Sequence, residues 1–365
     1  MSYAKKIALA IVALLIPFSV VASANAANET VSASTDLTPR SGSFFKEASV
    51  ASNLRLDVEV TPGPGQTFVE PMKRVSTTFP AGMTFRANNN ICPDSKLSLS
   101  SDLNSPSTIV NSCPNAVVGT GTAVILLARS VNGVIPDPIL VAFNAGKTPQ
   151  GQAKLKIYGY SKQTQVGILM TGTLRGRVLD IAIPVLSYDS AVKNFNLNFP
   201  GPVLDRQEEL GFKTQGKDPN YVQARCAASP FTTSAVFELG QRNPATGDPV
   251  GDTFTVDSPT VTQDCTGKAG NAKLGAKVKG PKAVKNGAKG AFKVTIKNSG
   301  TATAKNVVVT APGGKAKGGN IAPGKSKTVT VKATVRGKKG RKATVKFTVK
   351  SGKVVARTSA KVTVK

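Results

Sequence analysis

The 365-residue chain holds 48 Lys and Arg against 20 Asp and Glu, a formal net charge of +28, and contains neither histidine nor tryptophan. Without an imidazole near neutral pKa it cannot build a Ser-His-Asp or Cys-His nucleophile, and histidine-bearing zinc sites are excluded for the same reason. The charge is also divided: residues 266–365 carry 26 cations and no acid, leaving 22 cations against 20 acids in residues 1–265, which marks a domain boundary and a partner preference together.

The chain opens with Lys5 and Lys6, an apolar run from Ile7 to Val21, and the triplet Ala24-Asn25-Ala26. That is the layout of a secretory signal peptide cut after Ala26. The run is interrupted by Pro17 and falls short of the roughly 20 residues a membrane anchor needs. No Cys lies near the cut, so lipid attachment is not expected there, and no later run is long enough to span a membrane. The expected product is secreted, extracellular or cell-wall associated. Residues 27–45, polar and rich in Ser and Thr, are expected to form a flexible arm.

Residues 46–265 carry many short runs with strand character: "LRLDVEV" (54–60), "VVGTGTAVILLA" (117–128), "ILVAFNA" (139–145), "AKLKIYGY" (153–160), "QVGILMTGTL" (165–174), "RVLDIAIPVL" (177–186), "VKNFNLNF" (192–199), "TSAVFEL" (233–239) and "DTFTVDSPTVTQD" (252–264). Turn clusters such as "TPGPGQ", "RANNN" and "NPATGDPVGD" separate them, and no window of a dozen residues shows a 3.6 period. The fold class is therefore all-β, with a large disulfide-containing, sandwich-like domain that is either one sheet system or two. In the exported setting Cys92, Cys113, Cys226 and Cys265 are expected as disulfides. Of three possible pairings, Cys92 with Cys113 and Cys226 with Cys265 is favoured, because each couple brackets one loop- or hairpin-sized segment. "GTGTAV" (119–124) has no following helix and reads as a bulge or close-packed strand rather than a phosphate-binding loop.

Residues 266–272 read as a linker, and residues 273–365 as a small Lys-rich sandwich. In "FKVTIK" (292–297), Phe292, Val294 and Ile296 share one face and Lys293, Thr295 and Lys297 the other. The same alternation runs through 328–335, 343–350 and 356–365, and period-two strands with one apolar face make a two-sheet sandwich.

The stretch "FKVTIKNSGTATAKNVVVTAPGG" with "IAPGKSKTVTVKATV" and "VKFTVKSGKVVARTSAKVTVK" resembles bacterial extracellular immunoglobulin-like modules of the CARDB and conserved-repeat kind. The features carrying it are the Asn-x-Gly turn at Asn298 to Gly300, the strand entry Ala304 to Val309, Pro323-Gly324, and Thr328 to Val331. The resemblance implies an immunoglobulin-like fold and a surface or spacer role; lacking every acid, this copy has no metal site. More faintly, "FPAGM" (79–83), Cys92, the run from Cys113, and Cys226 and Cys265 framing "FTTSAVFEL" resemble uncharacterised actinobacterial secreted β-proteins. That likeness implies the same disulfide pairing.

Carboxylates are the surviving catalytic option, since a glycosidase needs only two facing one another. Asp205, Glu208, Glu209 and Asp218 lie in one irregular segment, and Asp57 and Glu59 share a strand face. A solvated acidic loop is the plainer reading. Asp248 and Asp252 lack the dense oxygen alternation of a calcium loop. No cofactor is expected. Tyr158 and Tyr160 share a face that could stack on a glycan, although packing against a second sheet is favoured; Tyr188 and Tyr221 complete the exported chain's tyrosines.

Twenty-six cations without an anion will attract any polyanion. Outward strand positions must be polar in any case, and Lys there discourages edge pairing. The total absence of Glu and Asp at those positions, however, makes the sign itself meaningful. Phe292 and Phe347 both lie on inward faces, which leaves no platform for stacking bases. The expected contact is charge-driven, with anionic cell-wall polymers or other extracellular polyanions and without specific nucleic-acid recognition. Arg336, Lys338, Lys339, Arg341 and Lys342 crowd a hairpin tip where no packing rule demands charge. With Lys315, Lys317, Lys325 and Lys327 they form the expected binding set. The resulting expectation is a noncatalytic envelope-associated protein; the alternatives are a carbohydrate-binding or carbohydrate-active site in residues 46–265, or an inert spacer.

Overall fold

A computed structural model describes residues 29–66, 68–97, 103–127, 133–185, 189–242 and 249–365. The expected signal peptide, Tyr188 and Asp248 lie outside the described residues.

Ten strands form the frame of the first domain: β1 (Thr30–Pro39), β2 (Val50–Thr61), β3 (Met72–Thr78), β4 (Val117–Leu127), β5 (Ile139–Lys147), β6 (Ala153–Ser161), β7 (Val166–Arg175), β8 (Val178–Ala182), β9 (Ser190–Phe199) and β10 (Phe231–Arg242). They hydrogen-bond antiparallel in the order β1-β2-β9-β4-β5-β6-β7-β8-β3-β10, one continuous sheet. The sheet curls over on itself until its ends meet. At that seam the inward hydroxyls of Thr35 on β1 and Thr233 on β10 lie 2.6 Å apart, and the Leu37 N–H donates to Gln263 Oε1 at 2.9 Å. The two halves thus face each other as the layers of a sandwich.

β1 overturns part of the expected flexible arm. Within its Ser- and Thr-rich composition, Val31, Ala33 and Leu37 recur with period two, and all three are buried in the core. Strand β5 shows a different pattern, eight consecutive buried residues from Ile139 to Gly146. A strand reads as one apolar run when both its faces are covered. Leu140 and Ala142 face the sandwich interior; Ile139, Val141 and Phe143 face a second cluster formed with Leu97, Ile109, Val110 and the Cys92–Cys113 disulfide. Two short helices, α1 (Asp94–Leu97) and α2 (Pro106–Ser112), cap that outer face. "GTGTAV" is the close-packed strand β4, where a Cβ on Gly121 would sit 1.9 Å from the Asn196 carbonyl oxygen. Both disulfides pair as favoured, with Cα atoms 5.7 Å and 5.9 Å apart.

The second domain has β11 (Leu274–Lys279), β12 (Ala283–Val284), β13 (Lys289–Asn298), β14 (Ala304–Ala311), β15 (Gly314–Ile321), β16 (Ser326–Thr334), β17 (Lys342–Ser351) and β18 (Val354–Val364). Sheet β11-β13-β16 packs on sheet β12-β18-β17-β14-β15, an immunoglobulin-like sandwich whose short β12 crosses to the second sheet and runs parallel to β18. Phe292 and Phe347 meet at its centre with ring centroids 5.1 Å apart.

The expected linker is held in place. Lys268 bridges to Phe45 in parallel, with the Lys46 N–H donating to Lys268 O at 3.1 Å and the Lys268 N–H to Phe44 O at 2.8 Å. No helix among the described residues is long and apolar enough to cross a membrane.

Candidate functional site

The basic sandwich owes its polarity to register. Outward positions on β17 and β18 pair Lys342 with Thr363, Thr344 with Lys361, Lys346 with Ser359 and Thr348 with Arg357. On β13 and β16, Lys289 faces Thr334, Lys293 faces Thr330 and Lys297 faces Ser326. A cation opposite a small or hydroxyl side chain avoids the destabilisation of like charges placed directly across a strand pair. The pair Lys279 and Lys293 breaks the pattern.

The nine expected binding residues are all exposed but do not form one patch. Strand β13 runs from Lys289 to Asn298, and the chain enters the sandwich beside Asn298, whose Oδ1 accepts the Lys273 N–H at 3.1 Å. Lys325 sits at this entry end, its carbonyl accepting the Asn298 N–H at 3.0 Å, and Lys327 pairs with Ile296 nearby. Arg336, Lys338, Lys339 and Arg341 follow β16 at the opposite end, roughly 30 Å away for a ten-residue strand. Lys315 and Lys317 lie on the outward face of β15; the Pro312-Gly313 turn before this strand accepts the Thr334 N–H at 2.8 Å, so Lys315 stands near the 336–341 end and Lys317 further along towards the other.

The far end carries more charge than the sequence suggested. The Gly340 N–H donates to Val364 O at 2.8 Å and the Val364 N–H to Arg341 O at 2.9 Å, folding the 336–341 tip against the last strand. Parallel pairing of β12 with β18 brings up a further segment, where the Thr363 N–H donates to Lys282 O at 3.0 Å and the Asn286 N–H to Lys365 O at 3.2 Å. Lys282, Lys285 and Lys365 therefore join the tip in one basic pole, all exposed. These three were missed because their link to the tip is a strand pairing between distant positions. The only sequence signal was their place in an acid-free segment.

The carboxylates are dispersed. Asp205 stands on an exposed hairpin of strands Leu204–Arg206 and Phe212–Thr214, where its hydrogen bond to the Lys213 ammonium holds it below its ordinary value. A general acid requires the reverse shift. Glu209 lies 3.7 Å from Arg206 on the same hairpin. Asp218 is instead buried in a turn, where its Oδ1 accepts the Asn220 N–H at 2.8 Å. Asp57 is engaged by Arg55 at 2.7 Å, and Glu59 lies 4.0 Å from Lys193. Tyr158 and Tyr160 pack as expected, but beneath the helical cap and not against a second sheet. Both rings are buried, their centroids are 6.4 Å apart, and the Tyr158 hydroxyl donates to Leu103 O. Neither is available to stack on a glycan. Tyr221 is also buried, and that burial pushes its phenol far up, with Asp218 adding to the shift.

No protein-family model matches the chain, and no curated protein does. Among solved structures it is similar to one described as "Structural basis for Dscam isoform specificity", at 9% identity over 86% of this chain and 80% of that one, with a TM-score of 0.16. Similarity that low carries no weight, so the immunoglobulin-like assignment stands on strand order.

Proposed function

We propose that this is a secreted, noncatalytic, cell-envelope-associated protein whose C-terminal sandwich attaches it electrostatically to anionic wall polymers or other extracellular polyanions. The observation that carries the reading is the charge split, 26 cations to no acid in residues 266–365. The pole made by the 336–341 tip and Lys282, Lys285 and Lys365 gives that charge a direction, because it lies at the end of the sandwich remote from the first domain. Contact is end-on, and the neutral domain is held away from the polymer. Affinity rests on counterion release and falls steeply with salt.

The test is retention of the full chain on isolated Gram-positive envelopes across a salt series. Replacing Arg336, Lys338, Lys339, Arg341 and Lys342 with Ser should lower retention and flatten its salt dependence. An equal loss on replacing Lys277, Lys293, Lys297, Lys346 and Lys361 would mean a diffuse polycation with no preferred pole. Full release of the unmodified protein at ~10 mM salt, where the Debye length is about 30 Å, would refute attachment altogether.

A further inference from the structure

Where the large sheet curls, between β4, β6, β7 and β9, the packed core gives way to a cavity of about 350 Å³. Protein interiors pack with few voids larger than a water molecule, so an opening of this size is a feature in need of a cause. Its floor is made by Leu140, Ile157, Met170 and Ile181, all buried in the domain core. Higher up, Ile125, Ile168 and Val192 also line it and are only half-buried. They sit at the ends of their strands nearest one edge of the sheet, where the cavity opens beside Ser161, Thr164, Asp189 and Ser190.

We infer that this cavity binds the hydrocarbon chain of a neutral-headed, single-chain amphiphile, tail inward and head at the mouth. The walls offer almost no polar partner, and a buried water needs two to four of them, so ordered water does not suit the space. A protein segment is too large, since a helix with its side chains is about 10–12 Å across. An aliphatic chain fits, at about a dozen methylenes if each takes roughly the 30 Å³ of a water, and the volume lies in the range of small-molecule sites. A second observation concerns the rim. Val166 lines the opening and is 36% exposed, and Val134 and Val185, close in sequence to the lining residues Ile135 and Ile183, are 47% and 40% exposed, an unusual placement for large apolar side chains that suits entry from a lipid surface. The head is assigned by charge. Among the described residues no Lys or Arg lines the cavity, whereas Asp189 does, and Asp137 stands behind the mouth accepting from Ser161 Oγ and the Gln163 N–H at 2.8 Å each. A carboxylate head would meet like charge there, while a hydroxyl head would meet acceptors and other hydroxyls.

The test uses the full protein with 1-monododecanoylglycerol and dodecanoate, each titrated against bound N-phenyl-1-naphthylamine. Saturable one-to-one displacement by the monoglyceride is expected, with dodecanoate at least about tenfold weaker at neutral pH. Because the chain has no Trp, Ile168→Trp and Val192→Trp each fill the cavity and report on it by emission. Each should weaken monoglyceride binding by about tenfold or more while leaving the thermal midpoint unchanged or raised. Should neither variant fold, a diazirine-bearing monoglyceride on the unmodified protein must label residues 123–127, 157–170 or 190–197. The inference is overturned by absence of saturable binding, by dodecanoate binding as tightly, by folded variants of undiminished affinity, or by labelling confined to other segments.

Discussion

Asn298 is fully buried, and all four of its side-chain hydrogen-bonding positions are used: Nδ2 donates to the carbonyls of Ala302 and Ile321 at 2.8 and 2.9 Å, and Oδ1 accepts from the Lys273 and Gly300 N–H groups at 3.1 and 3.0 Å. One amide thereby joins the start of the sandwich, the β13–β14 turn and the end of β15. Asn298→Ala would strand four backbone groups, and at about 1–3 kcal/mol for each group left unsatisfied the loss should reach 3 kcal/mol or more. Urea unfolding should show a lower midpoint at unchanged slope. The Asn-x-Gly pattern pointed to this turn through a resemblance, but the reason for it was not readable from the string, because Lys273 and Ile321 are neighbours only in space. Gly300 is required for a related reason: a Cβ there would lie 2.2 Å from the Asn271 carbonyl oxygen.

Among the elements, those with period-two apolar positions were legible, from residues 54–60 in the first domain to 292–297 in the second. β3 was not legible, since Met72 and Val75 are buried three positions apart and break the alternation, and two further strands were obscured by composition. β1 hides its alternation among Ser and Thr, and β15 is rich in Gly because it presses against β16, where a Cβ on Gly314 would come within 1.9 Å of the Lys332 carbonyl oxygen. The seven-residue α2 is too short to display a 3.6 period. Register lay beyond sequence reading altogether, and it decides how the lysines are tolerated. The pair of Lys279 and Lys293 is the place where tolerance is weakest. Lys279→Glu should therefore stabilise the sandwich by about 0.5 kcal/mol, within the 0.2–1 kcal/mol of a cross-strand pair. The gain should shrink with added salt, as chemical denaturation at two ionic strengths would show.

At the scale of the molecule, the division of charge was visible in the sequence, whereas the basic pole and the apolar cavity required the folded chain. So did the junction, where the Thr303 N–H donates to Glu47 Oε2 at 2.7 Å. Hydrogen bonding by Thr303, first through its side chain and then through this N–H, holds the Glu47 carboxyl below its ordinary 4.5. A carboxyl depressed in the folded state contributes stability above its unfolded value and loses it as pH falls through the folded one. The junction should thus be intact at neutral pH and loosen below about pH 4.5, read as faster amide exchange at Thr303 once the intrinsic pH effect is removed. Glu47→Gln should abolish that step. The seam between β1 and β10 has a different consequence. Its contacts, Thr35 with Thr233 and Leu37 with Gln263, span 198 and 226 residues. Loop closure on that scale is slow, and topologies dominated by distant pairing fold late. A chain emerging from its N-terminus holds β1 without a partner layer until almost the whole first domain has been made, so completion of the curl, and with it the cavity, is among the last events of folding.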